Sequence, residues 1–506
     1  MKKILNMITI GLLIFGFVQM SGAQRMREEL REKRTYNSKT YLNSDDTYTT
    51  EISLGSMHYR NEKGELEEIS RNFVLSGSND YAYEITKGFY HVYFKSDISQ
   101  PNSMVFETQG GAGIVCSLVG MGYMDQSKKD FYTIQSSRPT SAVATGNTIA
   151  YSNVFRDVSV KYTYKDTQLK EEIYLTQAAR NALPNPSTYG MKSDKTWLVF
   201  ITELNTGAET IAPYVGSNKI NKEFYEGEDP IQFKNLKGTD LFSIGMDYAF
   251  LESVKDSLSQ QNRNIQKLKR RIITQDGKTL LLSGVPLQWL ASQPSGTIVF
   301  DPQMNIQPPA AEGQDNFVYY LESDENSKNI NYGSSNLIMV GTATSSSYRK
   351  HHRTLIKFDL DMIPDYAIIN NATLYAYLAV GNTHGTGALG SYIQRVTSQW
   401  GEMTSTWNTQ PSSTPTNQVN VPAPGVNSDV TVTVTVLVQD MITYGNYGLI
   451  WRIQSEVPYN RLIFASSDNT EASDWPKLIV DYTLGAVSTT YYIRDAAGNV
   501  IATYKK

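Results

Sequence analysis

The stretch Trp400-Gly401-Glu402-Met403-Thr404-Ser405-Thr406-Trp407-Asn408-Thr409-Gln410-Pro411 sets two tryptophans around a carboxylate and a Thr/Ser-rich run. An indole offers a broad apolar face and a single N–H, which serves a sandwich core or a wall on which sugar rings stack. Sugar C–H faces lie on Trp and Tyr, while Arg, Asn and Gln bond the hydroxyls or carboxylates. On those grounds Trp451, Arg452, Trp400, Tyr348 and Arg353 are the candidate ligand-binding residues. Tyr348 to Arg353 (Tyr-Arg-Lys-His-His-Arg) is the most basic run of its region and suits an acidic polysaccharide, with a plain solvated loop as the competing reading. Trp407 reads as core or corner, and Trp400 fits either role.

Acidic and amide loops at Asp315-Asn316 and Asp468-Asn469 are the candidate metal ligands, for a structural calcium gathered from separated oxygen donors. His351-His352, adjacent on a strand, would point to opposite faces and could not chelate together. No nucleophile elbow, HExxH, P-loop or GxGxxG occurs, so no catalytic residue is nominated. Asp157, Lys170, Glu171 and Glu172 invite an acid/base reading. Strand alternation sends Glu171 and Glu172 to opposite faces, which favours a solvated strand edge instead. Ser253 to Arg271 carries six basic residues with partly helical apolar spacing, and reads as a short helix or an extended, solvated charged edge.

The elements that must position these groups are strands. Tyr48 to Leu54, Phe89 to Phe94 and Ile149 to Tyr164 alternate, and Asn61-Glu-Lys-Gly64 predicts a hairpin turn. Asp429 to Val438, with its Val-Thr repeat, predicts the cleanest strand, and no segment reads as a clear helix. Ile306 to Gln314 is rich in Pro, Gly and Ala and marks a boundary. The resulting expectation is an all-β chain. A large β-rich region (36–302) and a linker (303–314) lead to a jelly-roll-type β-sandwich (315–482) expected to fold by itself.

Residues 315–482 resemble the DNRLRE domain, also classed as carbohydrate-binding module family 96. The matching pieces stand in the family's order: Asn331-Tyr-Gly333, Leu355-Ile-Lys-Phe-Asp359 with Ile363-Pro364, and Ala372-Thr-Leu-Tyr375. The Trp-x-Glu…Thr-Trp-Asn-x-Gln-Pro core follows, then Tyr447-Gly-Leu449, Phe464-Ala-Ser-Ser467 and Pro476-Lys-Leu-Ile-Val480. The resemblance implies polysaccharide binding. Trp451 departs from it, standing where the family usually has an aliphatic residue. Patchy similarity over about 48–302 resembles the β region of large bacterial surface proteins. Tyr491 to Tyr504 resembles one Rhs/YD repeat, predicted as a hairpin (490–504) around Gly498-Asn499.

Lys2 and Lys3, the apolar run Ile4 to Met20 and the small residues Ser21-Gly-Ala23 have the pattern of a signal peptide (1–23). The expectation is a secreted or cell-surface chain with no membrane span once that segment is removed. A net charge of −4 gives no case for nucleic acid. The single cysteine, Cys116, permits no intrachain disulfide and sits in a buried-strand pattern. These readings converge on a non-catalytic surface protein that binds polysaccharide. The alternatives are a spacer from an Rhs-like wall or toxin-delivery protein, carrying other surface modules, and a polysaccharide-degrading enzyme with its site in 36–302.

Overall fold

The computed structural model describes residues 27–505 apart from 129, 206–210, 221–223, 246, 255–264, 307–312, 346, 387–389, 458, 470, 486–489 and 495–499. The expected signal peptide, half of the expected linker and the turn of the C-terminal hairpin therefore lie outside the described residues. The fold is all-β, built as two sandwiches. In the first, a ten-stranded sheet faces a twelve-stranded one. Strands such as Tyr90–Phe94 and Val158–Tyr164 send alternate residues into the space between the sheets. Aromatic pairs bridge that space: Tyr90 on Tyr164 with ring centroids 4.6 Å apart, and Phe200 edge-on to Phe300 at 4.9 Å. Cys116 is buried there, as its flanking pattern predicts.

The second sandwich has a six-stranded sheet against a seven-stranded one. The chain alternates between them. Gln314–Leu321, Leu337–Ser345 and Tyr348–Lys357 belong to the seven-stranded sheet, and Ala367–Ala376 to the six-stranded one. Ser391–Val396 and Ser413–Val421 return to the former, and Val430–Thr433 to the latter. Leu449–Ile453 and Asn460–Ala465 complete the seven-stranded sheet before Lys477–Leu484 closes the other.

Several expectations are corrected here. The strands Ser38–Asn43 and Tyr48–Ser53 do not belong with the N-terminal region. Tyr48–Ser53 pairs antiparallel with Lys477–Leu484 along its whole length, placing Ile52 and Leu54 in the C-terminal core. The expected boundary at 303–314 is thus crossed by a ladder that no local pattern encodes. Gln303–Asn305 is itself a strand of the N-terminal sandwich, and Gln314 already begins the next. The Val-Thr repeat stops being a strand at Thr433, and Thr435–Tyr444 is an α-helix. Leu437, Val438 and Met441 form its buried stripe, a helical spacing that takes over from the period-two pattern. Gln177–Asn181 and Leu287–Ser292 are further short helices where none was expected.

The basic segment opens in a single 3-10 turn, Glu252–Val254, and is extended as Gln266–Lys267 and Lys269–Gln275. It is not wholly solvated: Arg270 and Arg271 are buried on opposite faces of their sheet. Arg270 bonds Asp247, and Arg271 reaches Glu226 at 2.5 Å, so each buried cation has a carboxylate. At the C-terminus Thr490–Arg494 and Val500–Lys505 pair antiparallel in the expected hairpin. Among the described residues no helix is long and apolar enough to cross a membrane.

Candidate functional site

The two-tryptophan stretch is a loop laid over the outer face of the seven-stranded sheet. Its conformation is held by its backbone carbonyls, which accept from neighbouring side chains, and by its own side chains, with Asp315 N donating to Glu402 Oε1 at 2.9 Å. The side-chain amides of Asn316 and Asn331 each donate to both Glu402 O and Ser405 O, at 2.7–2.9 Å. A Cβ at Gly333 would stand 2.3 Å from Glu402 O, so the Asn-Tyr-Gly motif is a clamp that needs its glycine. Under the loop, Trp400 and Trp407 pack half-buried on Val318, Leu355, Val396 and Ile450. The Trp400 indole N–H donates to Tyr447 O at 2.8 Å.

Beside the loop, that outer face carries a polar and aromatic row. Antiparallel register sets Val318 opposite Arg353, and Tyr392 opposite both Arg452 and Asn420. The pairing of Thr354 with Trp451 brings Arg353 next to Arg452 on neighbouring strands. The Arg353 guanidinium lies 4.2 Å from the Trp407 ring centroid and donates to Gln410 Oε1 at 2.9 Å. It also lies 3.5 Å from Glu456. Burial, followed by the adjacent Arg452 charge, works against the Arg353 cation and lowers its proton affinity. Arg452 makes no hydrogen bond or ion pair among the described residues, and its Nε is enclosed without an acceptor. Tyr320 stacks on His351, whose ring nitrogens face Glu322 at 3.1 Å and Glu456 at 2.9 Å. His352 turns to the interior and faces Gly341 O, so the two histidines do part to opposite faces.

Of the five expected ligand-binding residues, the structure brings Arg353 and Arg452 together. Trp451 is corrected: it is 1% exposed, stacked on Phe464 in the core, with its N–H on Ser391 Oγ at 2.8 Å. Neighbours on one strand face opposite sides, so an Arg452 that turns to the outer face requires an inward Trp451. Tyr348 is exposed, but alternation sets it on the face of His352 at the strand's tip, away from Arg353. Trp400 is a roof over the small outer cluster. Trp407, read as core or corner, packs half-buried on the outer cluster beside Arg353. Tyr392, Asn420 and Tyr320 were missed, because a polar strand face shows only its alternation in sequence.

Of the four expected calcium ligands, Asn316 keeps its side-chain oxygen enclosed without a hydrogen-bond donor among the described residues. Asp315 is buried and accepts from Ser467 N at 2.7 Å. Asn316 and Asn469 spend their side-chain amides on backbone carbonyls. Asp468 lies near enough to Asp315 to raise its proton affinity. Among the described residues no three His, Cys, Asp or Glu side chains converge to hold a metal.

The same corner makes a pH prediction. Burial pushes Asp315 up to about 7 and Glu402 up to about 8; the Asp468 charge adds to both, and the Asp315 charge adds to Glu402. Folded pKa values above the unfolded ones favour folding at low pH. That contribution is full below about 4 and is lost as pH rises through 7 and 8. The melting temperature should therefore fall between pH 6 and pH 9, and Glu402→Gln should flatten the decline. A profile rising over that range, followed by circular dichroism, would refute the assignment.

Residues 313–482 match the sequence model of carbohydrate-binding module family 96. A search of curated proteins finds no match to the chain. Among solved structures, a Paenibacillus xanthan lyase aligns with 88% of this chain at 8% identity, with a TM-score of 0.13. The chain spans 53% of that enzyme's length. A score of that size carries no argument about fold or activity.

Proposed function

We propose that this is a non-catalytic, exported protein whose C-terminal sandwich binds acidic polysaccharide on the outer face of its seven-stranded sheet. The observation that carries this reading is the pair Arg353 and Arg452. They are like charges on adjacent strands, one without a partner among the described residues, beside the Trp407 ring and next to Tyr392. Two neighbouring guanidiniums repel until an anion lies between them, and a carboxylate offers each the planar match it prefers. Tyr392 and Trp407 supply the apolar faces on which sugar rings stack. The family match of 313–482 supports carbohydrate as the ligand class. The signal-like leader supports export.

The test is affinity electrophoresis of the whole secreted chain in gels containing alginate, pectin or a neutral glucan. Retardation is expected in the two acidic polymers and not in the glucan. Arg452→Ala should weaken binding by about 1.5–3 kcal/mol, the worth of hydrogen bonds to a charged group, and more at low salt than at high. Tyr392→Ala should weaken it by roughly 1–3 kcal/mol, the scale of a lost stacking ring in nucleic-acid sites. Wild-type protein retarded in none of the gels would leave the sandwich as a spacer. Retardation unchanged in both variants would move the site elsewhere on the domain.

A further inference from the structure

Polysaccharide binding leaves one interior feature of the N-terminal sandwich without a use. Between its two sheets lies a cavity of about 50 Å³. Leu118, Phe200 and Leu281 from one sheet face Leu169, Ile173 and Phe300 from the other across it. Glu171 reaches into this space. It lies on the strand Gln168–Leu175, where alternation turns Leu169, Glu171, Ile173 and Leu175 inward. Glu172 and Lys170 take the other face, where Glu172 meets Lys161 at 2.7 Å. The solvated edge expected of this segment is therefore corrected: Glu172 is buried on the other face against Lys161, and Glu171, half-buried, points between the sheets.

The chemistry around that acid is specific. The Tyr162 hydroxyl donates to Glu171 Oε1 at 2.6 Å. Among the described residues no Lys, Arg or His lines the cavity, and the titratable groups facing Glu171 there are Tyr162 and Cys116. Burial raises Glu171 to about 7, so at mildly acidic pH it is a neutral carboxylic acid. Its carbonyl oxygen is then occupied by Tyr162, which leaves its own O–H to donate into the cavity. The volume is several times the ~10–15 Å³ that one water needs, enough for roughly four to six heavy atoms. Filling it with water would require two to four polar partners for each molecule. The wall is mainly apolar and suits a body with one polar end, the usual make-up of small-molecule sites.

We propose that this cavity binds a small uncharged molecule with an aliphatic body and one acceptor oxygen, of the alcohol, aldehyde or ketone class, held by the Glu171 carboxyl. This site is separate from the polysaccharide face and does not depend on it. The test is ligand-observed saturation-transfer NMR on the full chain at pH 6, with 2-pentanone as the probe. Folding of each variant is checked by circular dichroism. Wild type and Glu171→Gln, which keeps a donor, are expected to transfer saturation to the probe. Glu171→Leu should bind about tenfold more weakly, the worth of one hydrogen bond. Ser283→Leu, which fills the cavity from the opposite sheet, should abolish transfer. No transfer to wild type would overturn the proposal, as would equal transfer in all four proteins. Should Glu171→Leu fail to fold, loss in Ser283→Leu with retention in Glu171→Gln supports the site, and the reverse refutes it.

Discussion

Residues 315–482 expressed by themselves are expected to be unfolded or aggregated, whereas a chain that also carries 27–54 joined by a flexible linker should fold. The strand Lys477–Leu484 lies between Ala367–Ala376 and Tyr48–Ser53, so removing the latter turns an interior strand into an edge. The same truncation strips Ile52 and Leu54, each 1% exposed, from the core. It also removes Tyr48, which stacks on Tyr482 at 5.5 Å. Burying such side chains contributes about 1.5–3 kcal/mol apiece. Three of them, with a lost ladder of hydrogen bonds, approach the whole ~5–15 kcal/mol stability of a domain. Circular dichroism and sedimentation of the two proteins check this. A monomeric, cooperatively melting 315–482 fragment would show that the N-terminal strands merely decorate the sandwich.

Trp451→Ala is expected to cost about 3–5 kcal/mol of stability, the usual range for deleting a large buried aromatic. The ring fills the space between the sheets against Phe464, and its loss would orphan the Ser391 hydroxyl. For a sandwich of this size that corresponds to a fall in melting temperature of about 6–20 °C. Polysaccharide affinity, measured below the new melting point, should stay within about twofold, since a twofold change is only ~0.4 kcal/mol. Lost affinity with unchanged stability would return Trp451 to the binding face and refute its burial.

Within the C-terminal sandwich much was legible. Local alternation predicted strands such as the one from Asp429, which runs as far as Thr433, while the Asn-Tyr-Gly and Trp…Trp-Asn-x-Gln-Pro pieces carried the family resemblance. The period of two is a short-range signal set by the pleat; the clamp that joins Gly333 to the Glu402 carbonyl is not, and only the fold shows it. The split of His351 from His352, and of Glu171 from Glu172, follows from the same pleat and held. Which member of such a pair faces the core does not follow from it. A second sheet must be present to bury one face, and only packing chose Trp451 and Glu171 for the interior.

The chain's amino acids by themselves thus determined the all-β class, the strand periodicity and the aromatic and basic residue types of the proposed binding face. Sheet membership lay beyond them. Tyr48–Ser53 and Lys477–Leu484 are both short amphipathic strands, and nothing local in either names the other as partner. The tertiary structure decided that pairing, because hydrogen-bond ladders join any two strands whose apolar faces share a core. It also decided the meeting of Arg353 with Arg452 and Trp407, which requires the register of three chain segments at once.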